Sequence, residues 1–185
     1  MDIPLIYKIL TVVLLVGFGQ QLHEAKGAVT DTTDHTFTAS WTLRINAAPA
    51  DVYAGFIHKV SNWWNPAHTF SGDAANLNID AIAGGCFCER LPDGGSAVHG
   101  MILMAAPGNH LRFRGSLGPL QPLPVTGVLD VAMEADSTST RLSIHYRVGG
   151  FAGPSATSNW AEQVDRVLEE QWQRLKSYIE TGEPE

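Results

Sequence analysis

The sequence predicts an α+β domain in which a curved antiparallel sheet wraps around a long C-terminal helix. Three features of the chain favour this fold class. Segments of alternating apolar and polar residues recur between positions 37 and 148, as half-buried strands require. Clusters of Gly, Pro, Asn and Asp separate these segments and favour tight turns. From residue 160 to residue 179 the apolar residues repeat at helical spacing. With 185 residues, the chain is long enough for one domain with a sizeable core.

The amino-terminal segment predicts export. Lys8 precedes an apolar stretch at residues 9–18, and small residues follow at Gly27 and Ala28. A basic flank, a short apolar stretch and a small-residue exit describe a secretory signal. The stretch is shorter than the ~20 apolar residues that a membrane-spanning helix needs. We therefore assign residues 1–28 to a signal peptide, with an uncleaved N-terminal anchor as the alternative, and expect a periplasmic or secreted protein with no membrane contact in its mature form.

The remaining chain divides into two parts. Residues 29–36 are polar and lack periodicity, so we expect a linker there. Residues 37–182 carry the pattern of the folded domain. The net charge is −7, without a Lys/Arg-rich run, which argues against nucleic acid and anionic membrane surfaces as partners.

The domain opens with a strand and two short helices. Trp41, Leu43 and Ile45 alternate with polar residues, which predicts a half-buried strand. Pro49 stands where the first turn of a helix accepts proline. The apolar residues that follow lie three and four apart, as on one face of a helix: Val52, Tyr53, Phe56, Ile57 and Val60.

The middle of the domain predicts about six antiparallel strands. They are separated by Gly- and Pro-rich turns and fall at residues 77–82, 86–91, 97–105, 111–117, 126–134 and 141–148. We expect the opening strand to close this sheet at one edge. The terminal helix is the only element long enough to cover the concave face. Its apolar stripe consists of Trp160, Val164, Val167, Leu168, Trp172, Leu175 and Ile179.

The two cysteines, Cys86 and Cys88, lie one residue apart on a predicted strand. On a regular strand their side chains point to the same side, ~6.6 Å apart along the chain. This spacing is near the limit of disulfide geometry, so we expect two reduced, packed thiols. A strained or intermolecular disulfide is the alternative. Metal ligation by these cysteines with His99 lacks the usual paired spacing, and we predict no metal site.

Four features in this order resemble the START-like superfamily (SRPBCC), which contains polyketide cyclases and the birch-pollen allergen. They are the segment Ala47–Tyr53 that enters the first helix, the pair Trp63-Trp64, the segment Gly84–Glu89, and a terminal helix that carries Trp160 and Trp172. Within the superfamily they are most similar to the branch of heat-shock-ATPase-activator-homologue domains. The resemblance covers residues 37 to 179. It implies a helix-grip fold with a cavity between the sheet and the long helix, but no single activity, because this fold hosts carriers, cyclases and co-chaperones.

Strand alternation identifies the residues that face the inside of the sheet. They are Trp41, Leu43, Phe87, Phe113, Leu129, Met133, Leu142, Ile144 and Tyr146. From these and from the implied cavity we predict a ligand-binding set, with at most one of the two adjacent tryptophans facing the ligand. The set comprises Trp63, Trp64, Phe87, Glu89, His99, Phe113, Tyr146 and Trp160.

Glu89 shares its face with Phe87 and therefore points inward. An inward carboxylate needs a partner or a raised pKa, and His99 on the neighbouring strand is the candidate partner. Such a pair could perform acid–base chemistry on a bound ligand. A solvent-exposed glutamate and a surface histidine are the plain alternative.

Three functions remain open from the sequence. The first is an exported, non-catalytic protein that binds a small apolar or aromatic molecule without a cofactor. The second is a cyclase- or hydrolase-like enzyme that uses Glu89 and His99. The third is a protein-interaction module like the co-chaperone relatives, against which export argues. The sequence contains no nucleophile-elbow motif and no phosphate-binding glycine loop before a helix.

Overall fold

The computed structural model describes residues 27–150 and 156–185. The chain folds into an α+β domain with one sheet and one long terminal helix. Its strands and helices, in chain order, are β1 (Ala28–Thr32), β2 (Thr36–Ile45), α1 (Pro49–His58), α2 (Val60–Trp63), β3 (Leu77–Ile79), β4 (Cys86–Arg90), β5 (Ser96–Ala106), β6 (His110–Arg114), β7 (Val125–Asp136), β8 (Ser139–Gly150) and α3 (Ala156–Thr181).

The eight strands form one curved antiparallel sheet in the order β1-β2-β8-β7-β6-β5-β4-β3. Strands β3 to β8 follow one another as a meander, which confirms the fold class. The strand that carries Trp41 pairs with the last strand, β8, and is next to the edge of the sheet, where we had expected it to be the edge itself. The structure differs from our expectation at residues 29–36, because strand β1 lies there and pairs with β2 as the edge of the sheet. The proposed signal segment lies almost wholly outside the described residues.

The inner face of the sheet holds the core. All nine residues that alternation assigned to this face are buried. Helix α3 packs against this face with Trp172, whose ring meets Trp41 edge-on at 6.2 Å and stacks on Phe56 at 6.0 Å. Trp63 and Phe113 complete the aromatic cluster around Phe56. These rings fill the space between the sheet and the middle of α3.

The two cysteines form a disulfide, so our expectation of reduced thiols is wrong. The expectation assumed a regular strand. In the structure the Cα atoms of Cys86 and Cys88 are 5.4 Å apart, closer than a regular strand allows. A β-bulge interrupts the pairing of β4 with β5 between Phe87 and Cys88, and a bulge bends and twists the strands at that point.

Candidate functional site

An open pocket of about 350 Å³ lies at the N-terminal end of α3. Three parts of the chain enclose it: the first turns of α3, the loop that follows α2, and the turn at residues 117–119. His99 of β5 lines it as well. Its main apolar lining comes from Trp64, Phe70, Leu117, Trp160, Val164 and Leu168. The pocket is therefore displaced from the centre of the sheet, which the aromatic cluster occupies.

Three of the predicted ligand-binding residues line this pocket: Trp64, His99 and Trp160. Trp64 packs its ring on Phe87 at 5.3 Å, so Phe87 supports the wall without being part of it. Phe113 is buried against Phe56 in the core. Sequence alternation identified the buried face correctly but could not distinguish residues that line a pocket from residues that fill the core.

The two adjacent tryptophans have different environments. Trp63 is fully buried, and its indole N–H donates to the carbonyl of Gly55 in α1 at 3.2 Å. Trp64 donates from its indole N–H to the carbonyl of His68 at 3.0 Å and thereby fixes the loop that forms one pocket wall. Only Trp64 of this pair reaches the pocket.

Tyr146 lies away from the pocket, although its hydroxyl helps to shape it. The hydroxyl accepts a hydrogen bond from the backbone N–H of Leu117 at 3.1 Å and donates to the carbonyl of Gly115 at 3.0 Å. Burial raises the pKa of Tyr146, so its phenol stays neutral and keeps the proton that it donates. Through these two hydrogen bonds, Tyr146 of strand β8 fixes residues 115–117 in place, immediately before the turn that lines the pocket.

Glu89 stands behind the pocket wall and is almost completely buried. Its carboxylate accepts hydrogen bonds from the backbone N–H groups of Phe70 and Ser71 and lies 2.8 Å from Nε2 of His99. Burial alone would raise the pKa of Glu89, but the hydrogen bonds from Ser71, Phe70 and His99 outweigh burial and hold that pKa below its ordinary value. Glu89 is thus a fixed anion that anchors the pocket loop and orients His99.

A β-bulge turns His99 toward the inside. Phe87 pairs with Gly100 while Cys88 pairs with Val98, so His99 is the extra residue on β5. Both His99 and Gly100 are consequently buried, which strict alternation does not permit. The imidazole stacks on Phe70, with ring centroids 5.4 Å apart, and packs against Phe87 at 4.8 Å. The bulge, the two rings and Glu89 together fix the orientation of the imidazole.

A second carboxylate anchors the other end of the pocket loop. Glu170 of α3 accepts a hydrogen bond from the side-chain amide of Asn65 and lies 3.2 Å from Nε2 of His68. Next to it, the buried Gln171 accepts a hydrogen bond from the backbone N–H of Asn65 at 2.8 Å. The hydrogen bond from Asn65 is the main reason why the pKa of Glu170 lies below its ordinary value. The sequence pattern does not reveal these contacts, although Gln171 is a polar residue that falls on the apolar stripe of α3.

A polar cluster lies on the opposite, outer face of the sheet. Asp130 receives hydrogen bonds from Arg112 at 2.8 Å and His110 at 2.6 Å. Between strands β2 and β8, the hydroxyl oxygen of Ser40 and Nδ1 of His145 are 2.9 Å apart. These groups do not line the pocket beside His99, and their hydrogen bonds cross between paired strands. The cluster therefore stabilises strand pairing.

Among residues 27–150 and 156–185, no group of three or more His, Cys, Asp or Glu side chains could hold a metal ion. In the same ranges, no helix has the length and apolar content that crossing a bilayer requires.

Comparison with known proteins supports the fold. Residues 34–180 match the sequence profile of the family described as polyketide cyclase / dehydrase and lipid transport. No curated protein gives a significant match. The solved structure of CalU16 from Micromonospora echinospora superposes with a TM-score of 0.59 at 16% identity, over 87% of this chain and 86% of that one.

Two further solved structures show the same architecture. The conserved protein of unknown function EF2215 from Enterococcus faecalis has a TM-score of 0.56 at 16% identity, covering 86% of this chain and 78% of that one. Ara h 8.0201 has a TM-score of 0.56 at 9% identity, covering 78% of this chain and 97% of that one. At such low identities the likeness shows a shared fold alone.

Proposed function

Because the chain belongs to the polyketide cyclase / dehydrase and lipid transport family, we propose that it is an exported protein that binds a small apolar or aromatic molecule in the pocket beside His99. The observation that carries this proposal is the pocket itself, about 350 Å³ in volume, with Trp64, Phe70 and Trp160 in its lining. This volume lies at the small end of the roughly 300–1,000 Å³ of typical ligand sites. A compound of two or three fused rings suits it.

The way in which the pocket walls are fixed also supports binding. The loop after α2 is attached at one end to Glu170 and Gln171 and at the other to Glu89. Tyr146 holds the segment that leads to the third wall. A site whose walls are fixed before the ligand arrives loses less conformational entropy on binding.

Two observations support export. The first is the signal-like segment at residues 1–28. The second is the disulfide between Cys86 and Cys88, since disulfides persist mainly in oxidising compartments. Fractionation of the native cell, with the mature amino terminus read by mass spectrometry, tests this part. An unprocessed chain in the cytosolic fraction would contradict it.

The binding function is tested with the uncharged fluorescent probe N-phenyl-1-naphthylamine and with native mass spectrometry of the protein from its own source. Val167→Phe adds a ring to the pocket lining, whereas Arg166→Phe adds the same ring to the adjacent exposed position, which does not line the pocket. We expect Val167→Phe to weaken probe binding at least about tenfold, because overfilled sites exclude ligand. We expect Arg166→Phe to bind like the wild type. Equal binding by all three proteins would refute the proposal.

The Glu89–His99 pair favours one second candidate, a hydrolase-like enzyme. With Nε2 of His99 held 2.8 Å from a buried carboxylate, the imidazole could take a proton from a bound water, and Glu89 would stabilise the resulting imidazolium. Hydrolysis of 2-naphthyl acetate to 2-naphthol and acetate provides an assay. Loss of hydrolysis in His99→Ala, with probe binding retained, would favour the enzyme. If the protein does not hydrolyse the ester, or if His99→Ala hydrolyses it as fast as the wild type, the hydrolase candidate is wrong.

A further inference from the structure

Several polar side chains of the pocket lining use donor groups within the protein. The Thr69 hydroxyl donates to the carbonyl of Pro66 at 2.8 Å. The Gln163 amide donates to the carbonyl of Asn159 at 3.1 Å. His68 is engaged by Glu170. These contacts occupy donor groups of the lining and leave the oxygen atoms of Thr69 and Gln163 able to accept further hydrogen bonds.

His99 lines the same space, and only Nε2 of its two ring nitrogens is engaged by Glu89. Because the ionised Glu89 can only accept, Nε2 of His99 carries the hydrogen of their bond, and in an imidazole with a single N–H the other nitrogen, Nδ1, is an acceptor. Nδ1 has no hydrogen-bond partner among the described residues. The His99 side chain is 7% exposed. His99 lines the pocket, and Nδ1 therefore has no donor from the described part of the chain in a largely apolar site.

The charges around the pocket exclude an acidic ligand. No Lys or Arg is found among the described residues that line it. The carboxylates of Glu89 and Glu170 lie directly behind its walls, against His99 and His68. A ligand carboxylate would lose part of its hydration without gaining a cation, which disfavours its binding.

We infer that the ligand is an uncharged ring compound with a hydroxyl group, and that this hydroxyl donates a hydrogen bond to Nδ1 of His99 while the rings lie among Trp64, Phe70 and Trp160. The inference rests on the proposed binding function and deepens it. His99 is well suited to this role because Glu89 and the rings of Phe70 and Phe87 fix its orientation before binding. The bulge in β5 thus places a fixed acceptor where an apolar sheet face would otherwise continue.

The experiment compares three probes of equal ring size at pH 8 by quenching of tryptophan fluorescence. They are 2-naphthol, 2-methoxynaphthalene, which lacks the donor, and 2-naphthoate, which is an anion. We expect the wild type to prefer 2-naphthol over the ether by about five- to tenfold, the effect of one hydrogen bond. His99→Phe keeps a ring between Phe70 and Phe87 and removes the acceptor, so this preference should disappear. Leu168→Ala removes apolar lining alone and should weaken both neutral probes by the same factor.

A second measurement does not depend on any variant. With ¹⁵N-labelled histidine in the wild type, the Nδ1 signal of His99 should move upfield when 2-naphthol is added and stay in place with 2-methoxynaphthalene. Equal affinity for the two neutral probes, or tighter binding of 2-naphthoate, overturns the hydroxyl inference and leaves the binding function standing. Failure of all three probes to bind contradicts the binding function itself.

Discussion

Glu89 and His99 lie 2.8 Å apart because a bulge in β5 turns His99 to the face that Glu89 already occupies. The pair links strand β4, strand β5 and the loop after α2, since Glu89 also accepts from the backbone N–H groups of Phe70 and Ser71. One buried anion therefore positions both a pocket wall and the imidazole that lines the pocket. The same contacts that stabilise the fold also prepare the site.

Glu89→Gln should lower the free energy of unfolding by about 2–4 kcal/mol. The glutamine would place an N–H₂ group against N–H donors that now meet a carboxylate, and hydrogen bonds to buried charged groups are the most costly to lose. Urea denaturation measures the change. The matched control is Glu134→Gln, an exposed carboxylate 3.9 Å from Arg141, which should change stability by less than about 0.5 kcal/mol. Equal stability of the two variants would show that Glu89 anchors nothing.

Acid should remove the contribution of Glu89 to stability. Its pKa in the folded protein lies below the ordinary value of about 4.3, so the native state favours the ionised form. This stabilisation is fully present above the pKa of the unfolded chain and is lost as the pH falls through the lower folded pKa. The difference in unfolding free energy between wild type and Glu89→Gln should therefore be constant from pH 7 to pH 6 and shrink between pH 5 and pH 3. A difference that stays constant to pH 3 would contradict the lowered pKa.

Reduction of the disulfide should destabilise the protein by only about 1–2 kcal/mol. Cys86 and Cys88 close a loop of three residues, and the loop entropy that a disulfide removes from the unfolded chain grows with loop length. Denaturation with and without a phosphine reductant measures the change. The Cys86→Ser/Cys88→Ser variant should be equally stable under both conditions. Titration that finds two free thiols in the native protein would contradict the bond.

Alternation and turn chemistry were sufficient to predict the inner face of the sheet. Buried residues such as Leu43, Leu129 and Ile144 occupy every second position of their strands, and this two-residue period is visible in the sequence. Strand β1 was missed because most of its side chains are exposed and its backbone pairing with β2 leaves no apolar pattern. The disulfide was missed for a related reason, since a bulge breaks the period on which the prediction relied. The contact between Glu89 and His99 was predicted, but the bulge that turns His99 inward was not.

The position of the pocket could not be predicted from the sequence. Trp63, Phe113 and Trp172 show the same period as residues that would line a cavity, yet together with Phe56 they fill the centre. Whether large aromatic residues line a space or fill it depends on their packing in three dimensions. The polar contacts of Asn65 reach across more than 100 positions, a distance at which local pattern carries no information.

Gly127 and Tyr146 provide a test that links packing to the pocket. A Cβ atom at Gly127 would lie 2.4 Å from Cε2 of Tyr146, a distance that requires the ring to move. The ring is fully buried, and its hydroxyl bridges Gly115 and Leu117. Any displacement should therefore disturb Leu117, which lines the pocket.

We expect Gly127→Ala to lower the free energy of unfolding by about 1–3 kcal/mol, the usual cost of overpacking, and to weaken probe binding because Leu117 loses its fixed position. Gly149→Ala is the matched control. It places the same methyl group on β8, where the Cβ atom meets Cγ2 of Thr36 at an ordinary 3.5 Å. This variant should keep wild-type binding and change stability by less than about 1 kcal/mol. If Gly127→Ala loses stability but binds the probe normally, then the hydroxyl of Tyr146 supports the core without shaping the pocket, and the assigned connection between β8 and the third wall is wrong.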